Sequence, residues 1–198
     1  MVAPFLPDEV KHPVLTAAPI ALDVFDRAPV PSAPTRLCTH AVAPSSELAA
    51  ELEGAAEWLG VRVEEILLAA LGRTFGRTRG DGAVAVAVSS AAVAPVHPVT
   101  LLCAAGLPMG PSEMLQGAHN SLLPGAGHPH SPAEISLTLD EAAADAAALQ
   151  VRVGRLDGAL QVEWTYDTAR LDGYSVDEMA EQFGHALIEI TSDAGAPL

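Results

Sequence analysis

The sequence predicts an α/β (α+β) domain, a two-layer sandwich in which helices cover one face of a mixed, mostly antiparallel sheet. Three observations predict it. First, Leu149 to Tyr166 holds two alternating runs around Asp157-Gly158: Leu149, Val151 and Val153 share one face of the first run, and Leu160, Val162, Trp164 and Tyr166 share one face of the second. Asp-Gly between such runs is a strong local hairpin signal. Second, apolar stripes with helical spacing recur at 48–59, 63–76 and 176–190. Third, the segments follow one another as β, α, α, β, β, α, β, β, β, α, an order that closes as two layers.

Residues 1–34 carry Pro4, Pro7, Pro13, Pro19, Pro29, Pro31 and Pro34. That density forbids a long helix, so an extended arm is expected, with a short strand near 20–25. TRLCTHAVA at 35–43 alternates like a strand. Ser45 or Ser46 then caps a helix whose Leu48, Leu52, Ala55, Ala56 and Leu59 share a face, and Gly60 ends it. The next helix, about 63–76, carries Val63, Ile66, Leu67, Ala70, Leu71 and Phe75. It is apolar on more than one face, which predicts central burial.

AVAVAVS at 83–89 reads as a strand of small residues, and HPVTLLCAAG at 97–106, apolar on both faces, as a covered strand. A short helix is expected at 112–123, with Met114, Leu115, Ala118 and Leu122, and a strand at 133–140. In the final segment Ser175 and Glu178 have capping-box spacing, and Tyr174 and Met179 stand where a hydrophobic staple would form. Val176, Met179, Ala180, Phe183, Leu187 and Ile190 form the stripe of that helix. The predicted organisation is an arm at 1–34, one lobe at 35–192 and a tail at 193–198.

Composition narrows the function. Nearly half of the 198 residues are apolar, so the chain can bury a substantial core. Lys11 is the only lysine, and the formal charge is -15. No basic stripe exists to neutralise phosphates, which argues against nucleic acid and against anionic membrane surfaces. Cys38 and Cys103 lie in apolar strand-like runs without CxxC or zinc spacing. They read as buried, reduced thiols of a cytoplasmic protein. There is no signal-peptide pattern and no apolar run of membrane-spanning length.

Four segments resemble the C-terminal lobe of nonribosomal peptide synthetase condensation and epimerization domains, members of the chloramphenicol-acetyltransferase-like acyltransferase superfamily. Leu48 to Phe75, with GVRVEEILLAALGRTFGR, resembles the family's "gvT…vllaAla…L" helix pair. Asp81 to Ser89 resembles the strand that follows it, and His97 to Pro108 a strand ending in Leu-Pro. Leu160 to Ile190 resembles the terminal strand, the "Yd…f" turn and the last helix. Together these segments cover about residues 35–190. The resemblance implies a single acetyltransferase-like lobe of a fold in which two such lobes enclose a substrate tunnel.

The motif that carries the family's chemistry is absent. The sequence has no HHxxxDG, and His119 is followed by Asn-Ser-Leu-Leu-Pro-Gly. DFGWG is missing as well. The resemblance therefore implies a half-domain that acts by binding in peptide, polyketide or lipid assembly. Its partners would be further copies of itself or a synthetase or acyltransferase component, with a carrier protein's phosphopantetheine arm as ligand. The alternative is half of a split acyltransferase whose histidine comes from another chain, forming an amide or ester bond. No cofactor is called for.

Few side chains stand out as site candidates. PAEISLTLD at 132–140 resembles a tunnel-lining family strand, with Ser136 at the place of an asparagine. In a strand, Ser136 and Thr138 share one face and Ile135, Leu137 and Leu139 the other. Ser136 and Thr138 are the expected substrate-binding residues, against the alternative of a half-exposed strand. His119, His128 and His130 cluster in sequence and could hold zinc or nickel, but no cysteine is near, and they read instead as part of an exposed polar loop, with no metal site expected. His97 reads as a polar residue at a strand start, and His185 as the solvent margin of the last helix. No GxSxG or phosphate-loop pattern occurs.

Overall fold

The structure, a computed structural model, describes residues 20–30, 34–91, 96–123, 126, 132–139 and 147–198. Its elements are β1 (Leu37–Ala41), α1 (Ser46–Leu59), α2 (Val63–Arg79), β2 (Gly82–Ser89), β3 (His97–Cys103), α3 (Pro111–Ser121), β4 (Ile135–Leu139), β5 (Leu149–Leu156), β6 (Ala159–Asp167) and α4 (Gly173–Asp193). The order is the predicted one. The strands form one sheet ordered β1-β6-β5-β4-β2-β3. β4 runs parallel to β2 and β5, and the other three pairings are antiparallel.

Local chemistry sets the hairpin and the first helix. Asp157 and Gly158 have φ of 51° and 83°, the positive pair that a two-residue turn between twisted strands requires. Ser45 caps α1 by accepting from the Leu48 N–H at 3.2 Å, and Gly60 closes it in the left-handed region at φ 66°.

Cross-strand register then assembles the core. Val99, Val86, Ile135, Leu149 and Tyr166 stand side by side across five strands, and Val88, Leu137, Val151 and Trp164 form the next row. The helices cover this face. Phe183 of α4 meets Trp164 edge-on, with ring centroids 5.7 Å apart. α2 is buried without interruption from Glu64 to Gly76, as its all-round apolarity predicts. Two glycines bring it against the end of β3: a Cβ on Gly72 would lie 2.4 Å from the Leu102 carbonyl oxygen, and one on Gly76 2.1 Å from the Ala104 carbonyl carbon. Glycine inside a helix costs about 1 kcal/mol relative to alanine, and this close packing is what it permits.

Residues 20–27 pack on the lobe. Ala21 bridges to Ala83, Val24 is buried, and the Arg170 guanidinium carbon lies 4.0 Å from the Phe25 ring centre. Asp26 accepts from the Asp172 N–H, the Ser175 hydroxyl and Arg79 at 2.7, 2.9 and 2.8 Å.

Three expectations are corrected. β3 is not a covered strand: it lies at the sheet edge, and its burial alternates along Val99, Leu101 and Cys103. The capping box and staple do not form. α4 starts at Gly173, Ser175 spends its hydroxyl on Asp26, and Tyr174 is 89% exposed. Finally, Cys38 is exposed on edge strand β1, whereas Cys103 is buried.

Candidate functional site

The face of the sheet opposite the helices carries small and polar side chains. Ser136 stands between Ala87 and Gln150, and Thr138 between Ser89 and Arg152. Further along the same face Arg152 is paired in register with Glu163, and the Thr39 and Thr165 hydroxyls are 3.0 Å apart. Ser136 and Thr138 thus share the face that strand periodicity assigns them. They are not half-exposed: β4 is buried along its whole length, and each of the two residues is 2% exposed. Neither hydroxyl has a hydrogen-bond partner among the described residues. An unpaired buried hydroxyl carries a desolvation penalty of about 1–3 kcal/mol, and a polar ligand atom would relieve it.

The charges buried on α2, Glu64, Glu65 and Arg73, are not among the residues the sequence singles out as site candidates. At the C-terminal part of the helix, Arg73 is 1% exposed; it donates to the Ala104 and Met109 carbonyls at 2.8 Å each, and Glu189 lies 3.3 Å from its Nε. Arg77 pairs with the same Glu189. At the N-terminal end, Glu65 is 2% exposed and is bound by Arg62 at 2.8 Å and by His119 Nδ1 at 3.1 Å. Its neighbour Glu64, 5% exposed, accepts from the Ser90 hydroxyl. The available signal was charge set inside a run that is otherwise apolar all round, EE before ILLAAL and Arg73 between Gly72 and Thr74.

His119 is committed to Glu65, His185 is exposed, and His128 and His130 lie outside the described residues. Among the described residues no three histidine, cysteine or acidic side chains are placed to hold a metal ion. The two thiols differ in environment. Burial, with Asp81 nearby, pushes the Cys103 thiol up to about 12. The Tyr166 phenol is raised chiefly by its hydrogen bond with Cys38. Burial alone would raise the Asp26 carboxyl, but its bonds from Asp172 and Ser175 and the Arg79 charge hold it below its ordinary value.

Solved structures similar to this chain include domains from natural-product biosynthesis. The epimerization domain of the third module of tyrocidine synthetase B superposes with a TM-score of 0.68 at 14% identity, over 89% of this chain and 52% of that one. The X-domain from teicoplanin biosynthesis, solved in complex with OxyB, gives 0.66 at 16% identity, over 92% and 51%. The first condensation domain of the CDA synthetase gives 0.57 at 17%, over 84% and 48%.

This is a condensation-type fold.

The chain spans about half the length of those structures. At such identities the likeness is one of fold. No protein-family model and no curated protein matches the sequence. The condensation-type lobe seen here therefore supplies architecture, and the chemistry has to be argued from its residues. Among the described residues, no helix is long and apolar enough to cross a membrane.

Proposed function

We propose that this condensation-like lobe acts by binding and not by catalysis of its own, in the assembly of peptide, polyketide or lipid products on carrier proteins. The observation that carries the reading is the conjunction of a condensation-type fold with a sequence free of HHxxxDG. The lobe's sequence thus lacks the motif whose histidine, in the family it resembles, deprotonates or orients the attacking amine. The X-domain supports a binding role by analogy, since that condensation-type fold is seen in complex with another protein. The lobe's own partners would be further copies of itself or a synthetase or acyltransferase component, in the cytoplasm.

Ser136 and Thr138 are the proposed contacts to a carrier protein's phosphopantetheine arm. Their unpaired hydroxyls on the central strand support this, as do the small Ala85 and Ala87 on the same face of the adjacent strand. The test uses the purified chain with acyl-carrier and acyl-CoA thioesters, measuring turnover, oligomeric state and carrier binding. The expected result is no acyl transfer, a defined oligomer or carrier complex, and binding that weakens in Ser136→Ala/Thr138→Ala. Turnover by the chain alone overturns the non-catalytic reading. A monomer at micromolar concentration that binds no carrier overturns the binding one. Activity that arises only on adding a chain bearing HHxxxDG selects the split enzyme.

A further inference from the structure

A groove of about 450 Å³ opens where α1, the start of α2 and the β5–β6 hairpin converge. Its apolar wall includes Leu52, Val61, Val63, Leu139, Val153 and Leu160. Its place in the fold is a favourable one for a ligand. β2, β4 and β5 are mutually parallel, and Leu139 and Gly154 near the carboxyl ends of β4 and β5 line the groove, with the N-terminus of α2 above them. Ligands of α/β sheets settle outside the carboxyl ends of parallel strands, and the volume is within the range of small-molecule sites.

The charges in the groove are unequally matched. Arg62 is bound to Glu65, and Arg155 to Glu53. The third charged residue of the described lining, Glu64, is 5% exposed; among the described residues it has no basic partner, only the Ser90 hydroxyl on one of its oxygens. The partial positive charge at the start of α2 supports that carboxylate in the empty protein. A buried carboxylate without a counter-ion is nevertheless incompletely compensated. With both arginines already neutralised, the described residues leave the groove one negative charge beside an apolar wall. A formal charge of -15 over the chain further raises the local concentration of cations.

We propose that this groove is a binding site for a small organic cation with an aliphatic body, its ammonium paired with Glu64 and its chain laid along Leu52, Leu139 and Leu160. The site is independent of the phosphopantetheine contacts proposed at Ser136 and Thr138, and either can fail without the other.

Calorimetric titration of the full chain with n-hexylammonium, n-hexanol and hexanoate tests it. Hexylammonium should bind at a single site, with hexanol and hexanoate at least about tenfold weaker, the span of one compensated charge. Glu64→Gln keeps an acceptor for Ser90 and removes the charge; it should weaken hexylammonium at least about tenfold. Ala56→Phe fills the groove from its half-buried α1 wall and should abolish binding while Glu64 is intact, which keeps the test decisive if the first variant folds poorly. Glu47→Gln, an acid in the first turn of α1 outside the lining, should bind as the wild type does. Failure of hexylammonium to bind, equal binding by Glu64→Gln or Ala56→Phe, equal binding of hexanoate, or equal weakening in Glu47→Gln each overturns the site.

Discussion

The two ends of α2 both bury charge, yet they do opposite things. Toward the C-terminal end Arg73 is matched by two carbonyls and Glu189, and the helix is pressed so close to β3 that Gly76 has no room for a methyl group. At the N-terminal end Glu64 has, among the described residues, one hydroxyl and no cation, with a groove beside it. Burial of a charge therefore does not by itself mark a site. Burial together with an unmet charge and adjacent space does, and the Arg73 end lacks the last two.

That contrast predicts a double dissociation, strongest at Arg73. Arg73→Met should destabilise by about 3 kcal/mol, because it strands the buried Ala104 carbonyl and the half-buried Met109 carbonyl and breaks the ion pair of a buried arginine with Glu189. For a chain of this size that lowers the melting temperature by roughly 6–12 °C. Hexylammonium affinity of the folded fraction should not change. Glu64→Gln should show the reverse, nearly full stability with lost affinity. If Arg73→Met alters binding as much as Glu64→Gln does, the two ends are not separate. Gly76→Ala tests the packing half of the contrast. Helix propensity favours alanine by about 1 kcal/mol, but the new methyl meets the Ala104 backbone. A net loss of about 2 kcal/mol in chemical denaturation is expected, and a gain would show that the contact is loose.

How much of this was legible in the sequence depends on how far each interaction reaches. The β5–β6 hairpin and the Gly60 cap of α1 were legible, and its N-cap to within one residue (Ser45 or Ser46), because these groups act on neighbours. The Ser175–Glu178 spacing misled, because the acceptor that takes the Ser175 hydroxyl is Asp26, which joins from the other end of the chain. Cys38 and Cys103 occupy similar apolar runs. Only the strand order shows that one lies exposed on edge strand β1, while the other faces the core from the opposite edge. For Ser136 and Thr138, period two gave the correct face, but their burial and lack of partners depend on neighbours that periodicity does not supply. Glu64 and Arg73 were visible as charges in an apolar helix, without any indication of which one was matched.

Asp26 joins the Arg79 end of α2 to the start of α4, and its effect should depend on pH. Its carboxyl is held below the ordinary value of 3.8, so the folded state favours the ionised form. The stability it contributes is complete above about pH 3.8 and is lost as pH falls through the lower folded-state value. At pH 7 Asp26→Asn should be less stable by about 1 kcal/mol, a modest figure because solvent screens the site. The difference from wild type should close below pH 3.8. A gap that persists in strong acid would assign the loss to packing and not to charge.

The smallest expected effect is at Ser136 and Thr138, and it asks whether an unmet polar group without a buried charge behaves like Glu64 or like Arg73. Ser136→Ala removes a hydroxyl that bonds to nothing among the described residues. Stability should therefore stay within about 0.5 kcal/mol or rise, since the penalty of burying the hydroxyl disappears with it. Thr138→Val keeps the branched shape that β4 packs and should behave alike. A loss above about 1 kcal/mol in either variant would mean that the hydroxyl is already satisfied in the empty protein, and the pair would then be structural in the way Arg73 is. Unchanged stability together with weakened binding of a phosphopantetheinylated carrier would instead place the pair with Glu64, as groups whose partner arrives from outside the chain.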